Sequence, residues 1–168
     1  MKKANTYLFT IDLLSRFNIE CDKVILDSGY MKPWTRFNAK IMSKMVSWGF
    51  DKLIKSKSNL IIEKTMQTSM GYCFKKEDLC SDATKVTLKN SEYSCLTYQL
   101  PELSKLETMS VEYWYGKKDK NMIEGMKEIK KQLPNMKEIC FGDYGHGEFM
   151  FEHPEEYADM VIKSVKNC

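Results

Sequence analysis

No segment of the chain approaches the roughly 18 uninterrupted apolar residues that a membrane helix requires, so no span is predicted. The opening Met1-Lys2-Lys3 is basic, but Asn5, Thr6 and Asp12 break up the apolar residues behind it and no small-residue cleavage site appears. No signal peptide is expected. The six cysteines, at 21, 73, 80, 95, 140 and 168, contain no C-x-x-C pair and no second cluster at ligand spacing. Zinc-ribbon and dithiol redox readings therefore fail. The expectation is free thiols in a reducing cytoplasm, with Cys21 and Cys140 buried in or beside apolar strand-like runs. Repeats and low-complexity stretches are absent. So is charge of one sign: 26 basic residues against 23 acidic ones, interspersed along the chain, leave a net +3. Nucleic-acid binding is not implied. Lysines at 117, 118 and 120, and at 127, 130 and 131, read as solvated faces next to Glu124 and Glu128.

What is present describes a globular protein. The 168 residues are 43% hydrophobic and 29% charged, enough for one domain with a real core. Apolar positions 7, 8, 11, 14 and 17 predict a helix over residues 6 to 17. Residues 23 to 27, short and β-branched and closed by Ser28-Gly29, predict a buried parallel strand. After Pro33 the texture turns helical, with helices expected around 41 to 54, over 60 to 70, and within 88 to 100 before Pro101. Strand and helix alternate again from Val111. Residues 111 to 116 predict a strand, 122 to 133 a helix with Ile123, Met126, Ile129 and Leu133 on one face, and 137 to 141 a second strand. Pro154 suits the first turn of a final helix, with Glu155 and Glu156 near its positive end and Tyr157, Met160, Val161 and Val165 as the buried stripe.

Open α/β sheets place their chemistry at the carboxyl ends of the strands. Here one strand runs into Gly116-Lys117-Lys118-Asp119 and the next into Gly142-Asp143-Tyr144-Gly145-His146-Gly147-Glu148. A carboxylate and an imidazole would meet on one edge. This order, G-x-x-D after one strand and G-H-G-E after the next, then His153-Pro154-Glu155-Glu156-Tyr157 and a final helix, resembles the C-terminal half of the α/β-hydrolase family. In that family the triad runs nucleophile, acid, histidine along the chain. The resemblance implies Asp119 as the acid, His146 as the general base, and hydrolysis of a carboxylic ester, thioester or similar acyl bond. It implies no cofactor and no metal. The fold class it implies is α/β: a short parallel sheet of about three strands flanked by helices, with a helical cap insertion, a partial α/β-hydrolase fold. Residues 1–32 and 107–168 would form the core, and 33–106 the cap or lid.

The departure from the family is the nucleophile elbow. The pattern laid over Leu13 to Phe17 puts the serine of G-x-S-x-G near Ala4, without flanking glycines or a preceding strand. The expectation is an incomplete or inactive hydrolase whose serine lies outside these residues. The alternative is a stand-alone, non-catalytic binding module derived from that fold. Ser28, at a strand end, is the remaining candidate nucleophile, whereas Ser15 and Cys140 read as structural. Asp27 reads as a turn residue bonding the local backbone, or as a second acid. A metal set of Asp143, His146, Glu148 and His153 is conceivable but lacks a tight i, i+4 histidine pair, and His153 reads as a helix-start residue. Trp34, Phe37, Met42, Met45, Trp48 and Met66 suit an acyl pocket or the core of the cap. The outer edge of the 23 to 27 strand would recruit a second copy or a complementing chain. A small acyl ester is the substrate expected if the site is completed.

Overall fold

The computed structural model describes residues 6–17, 19–55 and 84–166. Along the chain the elements are α1 (Thr6–Arg16), β1 (Lys23–Asp27), α2 (Arg36–Ile54), α3 (Lys85–Thr97), a 3-10 turn (Ser104–Leu106), β2 (Ser110–Tyr115), α4 (Lys120–Gln132), β3 (Lys137–Cys140), α5 (Glu148–Glu152) and α6 (Pro154–Lys166). They fall into two compact units, one from Pro33–Gln99 and one from Thr6–Lys32 with Leu100–Cys168.

In the second unit the three strands form a parallel sheet in the order β1-β2-β3. Parallel neighbours cannot be joined by a hairpin, so α4 carries the chain from β2 to β3. The central strand is the most deeply set: Val111, Tyr113 and Trp114 are all buried. Val24 and Leu26 of β1, Met126 and Ile129 of α4, and Leu133 and Met136 after it complete the core. β3 is shallower, and Cys140 at its end is exposed, not buried as its apolar run suggests. The reason is position: Cys140 is the last residue of β3, whose two ends are uncovered, and among the described residues β3 pairs with β2 alone. Cys21, Cys95 and Cys140 are free thiols.

Helix periodicity holds through the body of α1. Ile11 and Leu14 of α1 are buried, but Phe17 lies past the last turn and is 59% exposed. The final helix departs further from its expected stripe, since none of its residues is fully buried and Val165 faces solvent. Polar bonds help to hold it. Tyr157 donates its hydroxyl to Asp27 Oδ2 at 2.8 Å, and Ser164 Oγ donates to Glu112 Oε2 at 2.7 Å. The lysine groups are the solvated faces their neighbours suggest: Lys127 pairs with Glu124 and Lys131 with Glu128 at 2.7 Å, and Lys130 pairs with Glu138.

In the Pro33–Gln99 unit, α2 packs on α3, and the Trp34 amide donates to the Leu96 carbonyl at 2.8 Å. Thr84 caps α3 by accepting from the Thr87 amide at 3.1 Å. The buried residues of α2 are small: Ala39, Ser43 and Ser47. Each serine returns its hydroxyl to a carbonyl three residues back, Lys40 and Lys44 respectively, so neither hydroxyl is stranded. Phe37, Met45 and Trp48 are exposed, which overturns their reading as core. The helix expected over 60 to 70, with Met66, lies outside the described residues. Among the described residues no helix is long and apolar enough to cross a membrane.

Candidate active site

Two backbone turns are laced together at the carboxyl end of the sheet. The Lys117 amide donates to the Gly142 carbonyl at 2.8 Å and the Lys118 amide to the Tyr144 carbonyl at 3.0 Å. Only glycine at 116 permits this approach, because a Cβ there would collide with the Tyr144 carbonyl. The lacing brings Asp119, on the β2 side, to His146, on the β3 side. Asp119 Oδ2 lies 2.9 Å from His146 Nδ1, and Oδ1 accepts from the Met122 amide at 3.4 Å as the N-cap of α4. One carboxylate thus starts a helix and holds an imidazole. Gly147, at φ +68°, turns the chain after the histidine into α5, and Glu148 folds back to accept the Gly145 amide at 2.6 Å.

Aromatic packing supports the histidine loop from below. Phe141 stacks on Phe149 with centroids 4.5 Å apart, and Trp114 meets Phe141 and Tyr157 edge-on at 5.6 and 5.5 Å. Tyr144 closes the cluster through Phe149 and through His153, whose Nε2 is 2.8 Å from the tyrosine hydroxyl.

The carboxylate accepts, so the proton of a neutral His146 sits on Nδ1 and leaves Nε2 as an acceptor. The Asp119 side chain is 10% exposed and that of His146 50%, so the pair opens on the histidine side. The hydrogen bond to Asp119 raises the His146 pKa above 6.5; burial opposes the rise, and the charges of Asp119 and Asp27 add to it. A raised histidine pKa favours the folded state below 6.5, and that benefit is lost as pH rises through the folded value. The expected result of a proton NMR titration is a His146 midpoint above 6.5 that falls toward it in Asp119→Asn. An unchanged midpoint in that variant would show that the 2.9 Å contact carries no weight in solution.

In a search of solved structures the chain is similar to a carboxylesterase of Nitrososphaera gargenis, at TM-score 0.62 and 12% identity, covering 95% of this chain and 61% of that one. MenH from S. aureus gives TM-score 0.55 at 12% identity, covering 96% and 65%. An esterase from Exiguobacterium antarcticum gives 0.59 at 16%, covering 95% and 63%. All three have the same architecture. The fold is that of part of an α/β-hydrolase. The chain spans less than two thirds of the length of each of these structures. No protein-family model and no curated protein matches the sequence.

Within the α/β-hydrolase frame, Ser28 comes directly after β1, and its backbone sits at φ +49° in a region that costs a non-glycine residue energy. Its amide donates to the Trp114 carbonyl at 2.8 Å and it hydrogen-bonds the Asp27 carboxyl, whereas His146 is bonded to Asp119. Ser28 and Asp27 line a crevice with Gly116, Gly145 and Tyr157 that is too narrow to admit water. Ser15 is spent locally, donating to the Asp12 carbonyl at 2.9 Å. Asp27 is neither exposed nor a plain turn residue. Burial raises its pKa, while the hydroxyl of Tyr157, the charge of His146 and Ser28 offset part of the rise.

The four residues weighed as metal ligands go to separate partners: His146 to Asp119, His153 to Tyr144, Glu148 to the Gly145 amide, and Asp143 to Lys117 at 3.6 Å. Among the described residues no group of three or more candidate ligands converges. A cavity of about 330 Å³ between Leu106, Met109, Leu133 and Met136 lies at the opposite end of the strands from this chemistry. Sequence reasoning missed Tyr157 as the partner of Asp27 and Gly116 as the point where the two turns touch. The second had a legible signal, a glycine directly between a strand and an acid.

Proposed function

We propose that this chain supplies the acid and base of a serine-type acyl hydrolase, acting on a carboxylic ester or thioester once a serine is presented to His146. The observation that carries the reading is the 2.9 Å contact of Asp119 with His146 Nδ1, at the carboxyl ends of adjacent parallel strands. In that role Asp119 fixes the tautomer and steadies the imidazolium, and Nε2 takes the serine proton, later returning it to the leaving group. The likeness to esterase structures supports an ester-acting protein. The serine is assigned to a complementing segment, because no G-x-S-x-G occurs in these 168 residues. In this proposal the segment joins along the outer edge of β1, which pairs with β2 on its other side. A stand-alone binding module is the second reading, favoured by the same missing elbow.

A fluorophosphonate probe, with intact mass and adduct mapping after it, tests the assignment. The folded chain alone is expected to give no stoichiometric adduct. Addition of a chain bearing a G-x-S-x-G serine is expected to restore labelling and ester hydrolysis, both lost in His146→Ala. An adduct on the chain alone that disappears in His146→Ala would place the nucleophile within it, at Ser28 first. Hydrolysis that survives His146→Ala would remove the acid–base assignment.

A further inference from the structure

We infer that the outer face of α2 docks on surfaces of anionic lipid headgroups. The helix is built the wrong way round for a globular surface helix, which buries its large apolar side chains and shows its small polar ones. Ala39, Ser43 and Ser47 are 0–1% exposed, whereas Phe37, Ile41, Met45 and Trp48 are 72%, 45%, 61% and 58% exposed. The four large residues fall at i, i+4, i+8 and i+11 and so form one continuous stripe. Scattered exposed apolar residues need no account, but a contiguous stripe of this kind marks an interaction surface.

Charge decides the occupant. Arg36, Lys40, Lys44, Lys52 and Lys55 surround the stripe, all exposed, against one acid in the same stretch, Asp51, which pairs with Lys55 at 3.0 Å. Lys40 and Lys44 border it at helical spacing, and the Lys52 ammonium lies 5.8 Å over the Trp48 ring. An apolar stripe with a basic border is what a helix lying in a membrane interface presents: rings enter the acyl boundary while ammonium groups meet phosphates. A second copy fits less well, since a two-fold contact would set the same positive border against itself. The inference does not rest on the acid–base pair.

Flotation of the full chain with vesicles tests it. Vesicles of phosphatidylcholine containing phosphatidylglycerol are expected to bind at least about tenfold better than phosphatidylcholine alone, with binding falling as salt rises. Lys40→Ala combined with Lys44→Ala is expected to weaken binding about 30-fold. Phe37→Ser with Trp48→Ser is expected to weaken it at least about tenfold. All four substitutions are at exposed positions, and circular dichroism verifies the fold of each variant. Equal binding to neutral vesicles, no binding to anionic ones, or variants that bind like the parent would overturn the proposal. So would a concentration-dependent dimer, seen in sedimentation equilibrium, that Phe37→Ser dissolves; the stripe would then belong to a second copy.

Discussion

Glu112→Ala is expected to lower the unfolding free energy by about 3–5 kcal/mol, the range for breaking a buried ion pair and leaving its partner behind. Glu112 is 4% exposed in the central strand. Its carboxylate accepts from Trp114 Nε1 at 2.9 Å, Ser164 Oγ at 2.7 Å, Lys23 Nζ at 3.2 Å and Lys137 Nζ at 3.4 Å, tying all three strands to α6. Lys23 is 10% exposed and also donates to the Ser164 carbonyl at 2.6 Å, so removing the carboxylate leaves its charge enclosed. Burial pushes the Glu112 pKa up, but the hydrogen bonds from Ser164, Trp114 and Lys23 and the charge of Lys137 outweigh it, lowering the pKa to about 2.

A depressed carboxylate pKa stabilises the fold fully above the unfolded value of 4.5, and the benefit is lost as pH falls toward 2. A gap of about 2.5 units is worth on the order of 3 kcal/mol. Asp27 works in the other direction, because burial raises its pKa and acidification therefore favours the fold at that site. The informative quantity is the difference between the parent and Glu112→Gln in denaturant midpoints measured from pH 6 to about pH 2. The glutamine variant is expected to start less stable and to fall less steeply. Parallel curves would mean that the network contributes no net stability.

The parts of the fold that were legible in the sequence are those set by local chemistry. Lys23 to Asp27 reads as a strand because a β-branched apolar run is closed by Ser28-Gly29, and it is a strand over those residues. Asp119 reads as the end of a strand-to-helix turn, and the structure adds that the same carboxylate caps the helix. What the pattern could not supply is the side from which each element is covered. Phe37, Ile41, Met45 and Trp48 recur at helical spacing whether they face a core or solvent; the small residues at 39, 43 and 47 are the buried ones. Cys140 and Val165 mislead for a related reason: one is the last residue of β3 and the other lies in the last turn of α6, where little covers them. Glu112 carried a signal that only the strand register decodes, since Lys137 stands directly opposite it and Lys23 two positions away on the other neighbour.

Gly116→Ala is expected to undo the candidate site without touching either of its polar residues. The added methyl meets the Tyr144 backbone and comes within 2.8 Å of the Gly145 carbonyl oxygen, both fixed main chain with no flexible tip to move aside. The turn before Asp119 and the loop before His146 must then separate, breaking the hydrogen bonds that the Lys117 and Lys118 amides donate to that loop. Overpacking costs about 1–3 kcal/mol, and each lost hydrogen bond adds about 1 kcal/mol. The functional readout is sharper than the stability loss: with Asp119 moved away, the His146 midpoint should fall toward 6.5 as it does in Asp119→Asn. Gly142→Ala is the control. Its φ of +77° makes alanine unfavourable by about 1–2 kcal/mol, but its Cβ would point into open space, so the histidine titration should stay as in the parent. If both variants lose stability and only Gly116→Ala loses the raised histidine midpoint, the close approach of two backbones is what builds the acid–base pair. If Gly116→Ala keeps that midpoint, Asp119 and His146 find each other without the lacing, and the glycine serves packing alone.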